Sequence, residues 1–257
     1  MSDTAIKTGR EKFVEQTKTQ EITFGFWKEL CKKHHNPDCL ILNGDIPDLF
    51  NKYRQEGETW TRNSLDIRNE AVKLIKMFGI PKKIYFIKGT PVHTDSEFIT
   101  LEEDIAQELK AEIYRNKRTY PYRLINLAPS GAPRAIYHIT HHISSTTAWH
   151  RGTAPARAMM HLMLNESHFI KKTDIDKIVG LIRGHVHHFW YEESVSRRMI
   201  INPCWEGATN YMIQKMPESP PDIGSVILYH HKDGTFNMEK MLIPNQPLRP
   251  PIFEAGS

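Results

Sequence analysis

The sequence has few cysteines and no long apolar segment, and both absences limit what the chain can be. Its three cysteines, Cys31, Cys39 and Cys204, form no C-x-x-C pair, so we expect free thiols in a reducing setting. The mean hydropathy is -0.51, and no apolar run is long enough to cross a membrane. Residues 1–13 are polar and charged, unlike a secretory signal. These features predict a soluble, cytoplasmic protein.

Signatures of several enzyme classes are also missing. There is no G-x-S-x-G segment and no cysteine at a strand-to-helix turn, which disfavours a serine or cysteine hydrolase. The phosphate-cradling G-x-x-x-x-G-K-[ST] pattern is absent, which disfavours a kinase or a nucleotide-driven motor. The net charge of +4 is mild, and we find no lysine and arginine stripe interleaved with aromatics. The sequence therefore gives no specific sign of a nucleic-acid-binding module.

The chain does contain ordinary amounts of core-forming residues and an unusual number of histidines. Of its 257 residues, 39% are hydrophobic and 25% are charged, and 14 are histidine. Apolar periodicity predicts one α/β domain over residues 1–243, with a β-rich second half, and an extended proline-rich tail over 244–257. We expect helices over 11–35, 64–77, 100–109 and 154–164, and strands over 39–42, 84–87, 135–140, 178–182, 199–201, 226–229 and 238–243.

Local signals refine several of these elements. Asn63 or Ser64 is placed to cap the second helix. The pair Thr100 and Glu103 has the spacing of a capping box at the start of the third helix. Asp233-Gly234 is typical of a hairpin turn between the last two strands.

Polar clusters of metal-ligand type follow four of the predicted strands. These clusters are Asn43–Asp48, Gly89–His93, His141–His142 and Gly184–His188. Sites in α/β sheets are built where strand ends and their loops converge. The pattern therefore predicts that side chains far apart in sequence meet in one crevice.

The chemistry of two clusters suits metal ions. In an extended segment His185 and His187 point to the same side, which suits two neighbouring cations, although a surface pair of histidines is the alternative. Asp45 directly follows a buried strand, where an unpaired carboxylate is costly. A cation would remove that cost, and one carboxylate can bridge two cations. The alternative for Asp45 is a turn or helix-capping aspartate.

Adjacent His141 and His142 at a strand end should point to opposite sides. We favour His141 as the residue that faces the site, with His142 packed elsewhere or in solvent. Asp48 is expected to orient the loop rather than to act as a ligand. His138 lies further back in its strand and is expected to be a core histidine.

In the order of these motifs the sequence resembles the calcineurin-like metallophosphoesterases. The matching segments are G-D-x-x-D at Gly44–Asp48, a glycine turn with a histidine at Gly89–His93, His141, and G-H-x-H at Gly184–His187. The resemblance covers residues 3–205. The form of Gly89–His93 is similar to a variant found in phage-type members, whose setting would be the host cytoplasm.

The resemblance implies a fold of two packed mixed β-sheets flanked by helices, an α/β/β/α sandwich. It implies one or two divalent ions drawn from Mn, Fe, Zn and Ni, which would activate water to hydrolyse a phosphomonoester or phosphodiester. Asp45 would bridge the ions, His141 and His185 would hold one, and His187 would help hold the other. His93 would assist the leaving group. A nucleic acid or nucleotide is one class of candidate phosphate-ester substrate.

Two motifs depart from the family pattern. Thr90 follows Gly89 where the family has asparagine, so that ligand position falls to Thr90 or His93. The family's D-x-H motif reads Asp3-Thr4-Ala5, which keeps Asp3 as a metal-ligand candidate but lacks the histidine. The alternative for this segment is a chance similarity in a disordered N-terminus. The strand before it is absent, and we expect the N-terminal segment or a partner chain, such as a second copy in a homo-oligomer, to cover that edge. The alternative function is therefore a catalytically impaired relative retained as a binding or structural protein.

Overall fold

The computed structural model describes residues 5–7, 13–15, 18–48, 61, 63–94, 100–143, 152–169, 178–194, 197–209, 212, 214 and 220–244. The helices in these ranges are α1 (Lys18–Lys33), α2 (Ser64–Lys76), α3 (Pro91–Thr94), α4 (Leu101–Glu108) and α5 (Thr153–Phe169). The strands are β1 (Ala5–Lys7), β2 (Phe13–Glu15), β3 (Cys39–Asn43), β4 (Lys83–Ile87), β5 (Thr119–Tyr120), β6 (Tyr122–Asn126), β7 (Ile136–Thr140), β8 (Ile178–Arg183), β9 (Trp190–Ser194), β10 (Arg197–Ile201), β11 (Gly224–His230) and β12 (Phe236–Leu242).

Two main sheets position the strand ends. One has five strands in the order β6-β7-β8-β10-β9, with β7, β8 and β10 parallel and the two edge strands antiparallel to their neighbours. The other has three parallel strands in the order β3-β4-β5. The hairpin β11-β12 is a separate two-stranded sheet. The predicted α/β class, with mixed sheets flanked by helices, is confirmed.

The core lies in layers because successive side chains of a strand point to opposite faces. On β4, Ile87 packs between the sheets against Ile139 of β7 and Ile182 of β8. Its neighbour Phe86 points the other way, against α2 and α4. The outer face of the five-stranded sheet is covered by α5, through Leu162. The two sheets therefore pack face to face, with helices on both outer surfaces.

Helix α2 is the element whose ends agree best with the sequence prediction. It begins after Asn63, whose Oδ1 accepts a hydrogen bond from the backbone N of Leu65 at 3.0 Å. It ends at Lys76, and the chain then turns through Gly79 at φ 81°, a conformation that favours glycine.

Replacing Asn63 with alanine is expected to lower the free energy of unfolding by about 1 kcal/mol, because the first turn loses its side-chain cap. Asn63→Asp keeps an acceptor oxygen and should stay close to the wild-type protein. Urea denaturation of the three proteins measures the difference. Equal midpoints for Asn63→Ala and Asn63→Asp would show that the cap contributes nothing.

The predicted start of the first helix and the predicted capping box are wrong. Residues 13–15 form β2, which pairs with β1, and α1 begins only at Lys18. An apolar pair such as Phe13 and Val14 fits both the helical and the strand periodicity, and the pairing of β2 with β1 decides in favour of the strand. At α4, Thr100 makes no side-chain cap. Glu103 instead accepts hydrogen bonds from the backbone N of Arg118 and Thr119, at 2.7 and 2.8 Å.

Other elements were either confirmed or not predicted. The Asp233-Gly234 turn between β11 and β12 is confirmed. Strands β5, β6 and β9 were not predicted. On β6 the charged residue Arg123 stands at a buried position, so the strand lacks the usual alternation of apolar and polar residues. The guanidinium of Arg123 donates to the backbone carbonyls of Glu112 and Arg118. Among the helices the structure describes, none is long and apolar enough to span a bilayer. The proline-rich tail over 245–257 lies outside the described residues.

Candidate metal centre

The candidate site lies where the parallel strands of both main sheets end. Asn43 at the end of β3 pairs with Ile87 at the end of β4. In the other sheet β7, β8 and β10 run in the same direction, and Ile201 pairs with Arg183. The loops that follow these strands therefore emerge at shared sheet edges, as the sequence clusters predict.

Three of the predicted ligands come together around the carboxylate of Asp45. Its Oδ2 is 2.8 Å from Nε2 of His141 and 4.0 Å from Nδ1 of His185. One ligand atom from each residue lies within 4.8 Å of those of the other two. The backbone supports this geometry, because Gly44 and Asp45 turn sharply after β3 at φ 78° and 53°. This arrangement offers one oxygen and two nitrogen donors to a cation.

The orientation of the His141 ring suits metal binding. Its Nδ1 lies 2.6 Å from the backbone carbonyl oxygen of Asn43. A carbonyl can only accept, so Nδ1 carries a proton and donates it. In the neutral ring this leaves the lone pair on Nε2, which faces Asp45. Metal-binding histidines are commonly fixed by a hydrogen bond of this kind on the other ring nitrogen.

The charges of this pair depend on each other. Burial raises the pKa of Asp45, but hydrogen bonds from His141, His185 and Thr90 outweigh it and hold the pKa well below its usual range. Burial lowers the pKa of His141, but the hydrogen bond and charge of Asp45 raise it overall. A cation at Nε2 must displace a proton there, so we expect metal affinity to fall at acid pH.

Thr90, one of the two residues considered for the ligand position after Gly89, contacts the Asp45 carboxylate. Its hydroxyl donates to Oδ1 and Oδ2 of Asp45 at 2.9 and 2.8 Å, and its backbone N also donates to Oδ1. These bonds hold the carboxylate plane at a set angle. The hydroxyl therefore orients Asp45 rather than pointing away as a separate ligand.

His93, on the short helix α3, and Asp48, in the loop after β3, form a pair. Nδ1 of His93 lies 3.0 Å from Oδ1 of Asp48. This hydrogen bond is the main cause that raises the pKa of His93. Burial lowers it, and the negative charges of Asp45, Asp48 and Glu206 raise it further. His93 is therefore a partly exposed imidazole whose pKa lies above its ordinary value.

The backbone around His185 and His187 differs from the prediction. The two residues have φ values of 71° and 55°, so the segment bends and is not extended. The amide of Val186 donates to the carbonyl of Gly184 at 2.9 Å, which tightens the bend. The alternation argument for this segment is therefore wrong. His185 still reaches Asp45, while His187 is half-buried and its Nδ1 lies 3.7 Å from Oε2 of Glu206.

The remaining predicted residues lie at the edge of the site or away from it. His142 is exposed, and its ring centroid is 4.8 Å from that of His185. His138 is buried, with its Nδ1 3.2 Å from the guanidinium of Arg183. Asp3 lies outside the described residues.

Sequence reasoning missed Glu102, a fully buried carboxylate that joins two loops of the site. Its Oε1 accepts from the backbone N of Ile46 at 3.2 Å, and its Oε2 accepts from the backbone N of Gly89 at 2.8 Å. Burial raises its pKa to about 7, against the lowering effect of the two hydrogen bonds. The signal available in the sequence was an acidic residue in the first turn of a predicted helix. Acidic residues are favoured at that position in any helix, so the signal is not specific to a site.

Replacing Glu102 with glutamine is expected to weaken metal binding by about 10- to 100-fold, as for other groups that orient ligands. An amide has one acceptor oxygen, so one of the two loop N–H groups loses its partner. Metal titration calorimetry measures the affinity.

Glu103→Gln is the matched control on the same helix, because Glu103 bonds to β5 and not to the loops of the site. It should lower stability without changing metal affinity. Equal metal affinities for the two variants would contradict a positioning role for Glu102.

No protein-family model matches the sequence, and no curated protein matches it. Solved structures with a similar fold include a double mutant of Vps29 from Entamoeba histolytica, at 11% identity over 84% of this chain and 88% of that chain, with a TM-score of 0.43. Vacuolar Protein Sorting 29 from Cryptosporidium parvum matches at 13% identity over 80% and 96%, with a TM-score of 0.38. An archaeal phosphodiesterase matches at 12% identity over 79% and 99%, with a TM-score of 0.36. Similarities this weak give no basis for assigning an activity.

Proposed function

We propose that this protein is a metal-dependent phosphoesterase that hydrolyses a phosphomonoester or a phosphodiester at the Asp45 centre. The observation that carries the proposal is the meeting of Asp45, His141 and His185 within 4.8 Å at the ends of β3, β7 and β8. These residues occupy the positions of the calcineurin-like motifs in the sequence. The phage-type affiliation stays a prediction.

The donor set and the backbone support a metal role over a purely structural ion pair. Imidazole nitrogen with carboxylate oxygen suits Mn, Fe, Zn and Ni better than calcium or magnesium. Asp45, His185 and His187 all have left-handed backbone, which is costly for residues other than glycine. Such strain persists mainly at functional sites.

Each residue of the centre has a distinct task in this proposal. Bound divalent ions would supply Lewis-acid stabilisation of the phosphoryl oxygens and a lowered pKa for water. Thr90 and Glu102 hold Asp45 and its loop in place. His93, held by Asp48, which raises its pKa, would donate a proton to the leaving oxygen.

A catalytically impaired relative is the second candidate, and one observation favours it. The family's first motif has alanine at Ala5 in place of histidine. A centre that lacks one ligand would hold its ions less firmly. The two candidates share a fold and differ in metal content and turnover.

Metal analysis and an activity screen test the proposal. The purified protein is loaded with Mn, Zn, Fe or Ni, and bound metal is measured by plasma mass spectrometry. Hydrolysis of nitrophenyl phosphate and bis-nitrophenyl phosphate is measured in parallel. We expect at least one ion per chain and hydrolysis that depends on it.

The variant His141→Ala should lose the ion and the activity. His231→Ala, which changes a histidine at the β11-β12 turn, should keep both. Bound metal without turnover would favour the impaired relative. A protein that binds none of these metals would overturn the proposal.

A further inference from the structure

The side chains of His187 and Glu206 face each other beside the Asp45 centre. Oε2 of Glu206 lies 3.7 Å from Nδ1 of His187. This distance is too long for a hydrogen bond. Within the described part of the chain, that buried nitrogen has no hydrogen-bond partner. A buried donor or acceptor left in this state is costly, so its presence calls for an explanation.

A shared cation explains the spacing. Ligand atoms about 2.1 Å from one ion lie roughly 3.0–3.5 Å from each other in tetrahedral or octahedral geometry. The observed 3.7 Å is close to this range, and small side-chain rotations would close the difference. An imidazole nitrogen and a carboxylate oxygen are both ligands for borderline divalent ions.

The backbone holds the two residues in place independently of any side-chain contact between them. Glu206 follows β10, the strand next to β8, which leads to His187. The amide of Asp222 donates to the carbonyl of His187 at 2.8 Å, and the amide of Cys204 donates to the carbonyl of Asp222 at 3.0 Å. The Sγ of Cys204 donates to the backbone carbonyl of Glu206 at 3.2 Å. Both ends of the pair are thus fixed by the same short network.

The pair faces the same region as the Asp45 centre. The charges of Asp45 and His141 act on His187, and the charge of Glu206 acts on His93. His187 and Glu206 therefore lie near the Asp45 centre, whose own meeting ligand atoms are those of Asp45, His141 and His185.

We infer that His187 and Glu206 hold a second divalent cation beside the Asp45 centre, and that Glu206 supplies the ligand that the first motif lacks at Ala5. This inference rests on the proposed function, because it needs Asp45 to bind a first ion through His141 and His185. It names a residue outside the four motifs. It also explains how the centre could hold two ions without the histidine of a D-x-H motif.

Metal stoichiometry of the whole chain tests the inference without reference to turnover. Wild-type protein and Glu206→Gln are titrated with Mn²⁺ by calorimetry, and the bound Mn²⁺ is examined by electron paramagnetic resonance. We expect two ions in the wild-type protein, with the magnetic coupling of neighbouring Mn²⁺ ions. Glu206→Gln should hold one ion, lose the coupling and weaken the second site by more than about 100-fold, because it removes a direct ligand.

Two controls separate the sites. Glu192→Gln removes an exposed carboxylate of β9 and should keep both ions. His185→Ala should weaken the first site. Circular dichroism checks that each variant is folded.

Each result bears on a different claim. Two coupled ions in Glu206→Gln, bound as in the wild-type protein, would overturn the inference and leave the proposed function intact. A single wild-type ion that depends on His185 and not on Glu206 would do the same. A wild-type protein that binds no ion would overturn both.

Discussion

Asp45→Asn should weaken metal binding by more than about 100-fold and reduce any metal-dependent hydrolysis at least as much. The change removes the negative charge around which His141 and His185 converge. It also places an amide donor where the hydroxyl and the backbone N of Thr90 already donate. An amide oxygen is a weaker ligand than a carboxylate and does not favour a shared position between two cations. Metal titration and a metal-dependent hydrolysis assay measure the two effects.

The same variant should also be less stable without metal. His141 is buried and keeps a charged partner in Asp45, and a hydrogen bond to a charged group contributes about 1.5–3 kcal/mol. We expect the free energy of unfolding of the metal-free protein to fall by about 1–3 kcal/mol. Urea denaturation of chelator-treated protein measures this loss of stability separately from metal binding.

Asp38→Asn is the matched control for this change. Asp38 is 83% exposed and pairs with Lys82, and such surface pairs contribute little. The control should match the wild-type protein in metal binding and in stability. If Asp45→Asn bound metal like the control, the centre could not be built on Asp45.

Gly89→Ala is expected to disrupt the centre through the backbone. An added Cβ would lie 2.9 Å from the Cα of Asp45 and closer still to its backbone N and its Oδ1. The N and Cα belong to a main chain whose next residue, Ile46, is held by Glu102, and Oδ1 belongs to a carboxylate that Thr90 holds. These atoms therefore cannot move aside as a free side chain would. We expect a loss of about 3 kcal/mol in the free energy of unfolding, at the upper end for overpacked sites. Metal binding should be lost as Asp45 is displaced.

Gly25→Ala is the control for this glycine substitution. Gly25 lies within α1, and an added Cβ there meets no atom within 4 Å. Alanine is favoured over glycine inside a helix, so this variant should gain about 0.5–1 kcal/mol. Chemical denaturation and metal titration of both variants give the comparison. A Gly89→Ala protein with wild-type stability and metal affinity would show that the two loops are not closely packed.

Much of the fold near the site could be predicted because its elements carry local signals. Strand β3 begins with a continuous apolar run and stops before Gly44, and α2 has its own cap and apolar stripe. The predicted meeting of Asp45, His141 and His185 followed from a general property of parallel sheets, whose strand ends converge. By contrast, β6 was missed because Arg123 stands at a buried position, and the carbonyls that accept from it belong to other segments.

The sequence by itself determined the order of the strands that end in donor side chains and the chemical types of those donors, because apolar runs and glycine turns are short-range patterns. Only the tertiary structure decided which carboxylates support the centre. Glu102 bonds to a backbone group 56 residues away, and Glu206 meets His187 through a loop after another strand. The left-handed turns at His185 and His187 likewise became visible only in the tertiary structure. Such contacts depend on how separate elements pack against each other, and a local pattern of residues does not predict that packing.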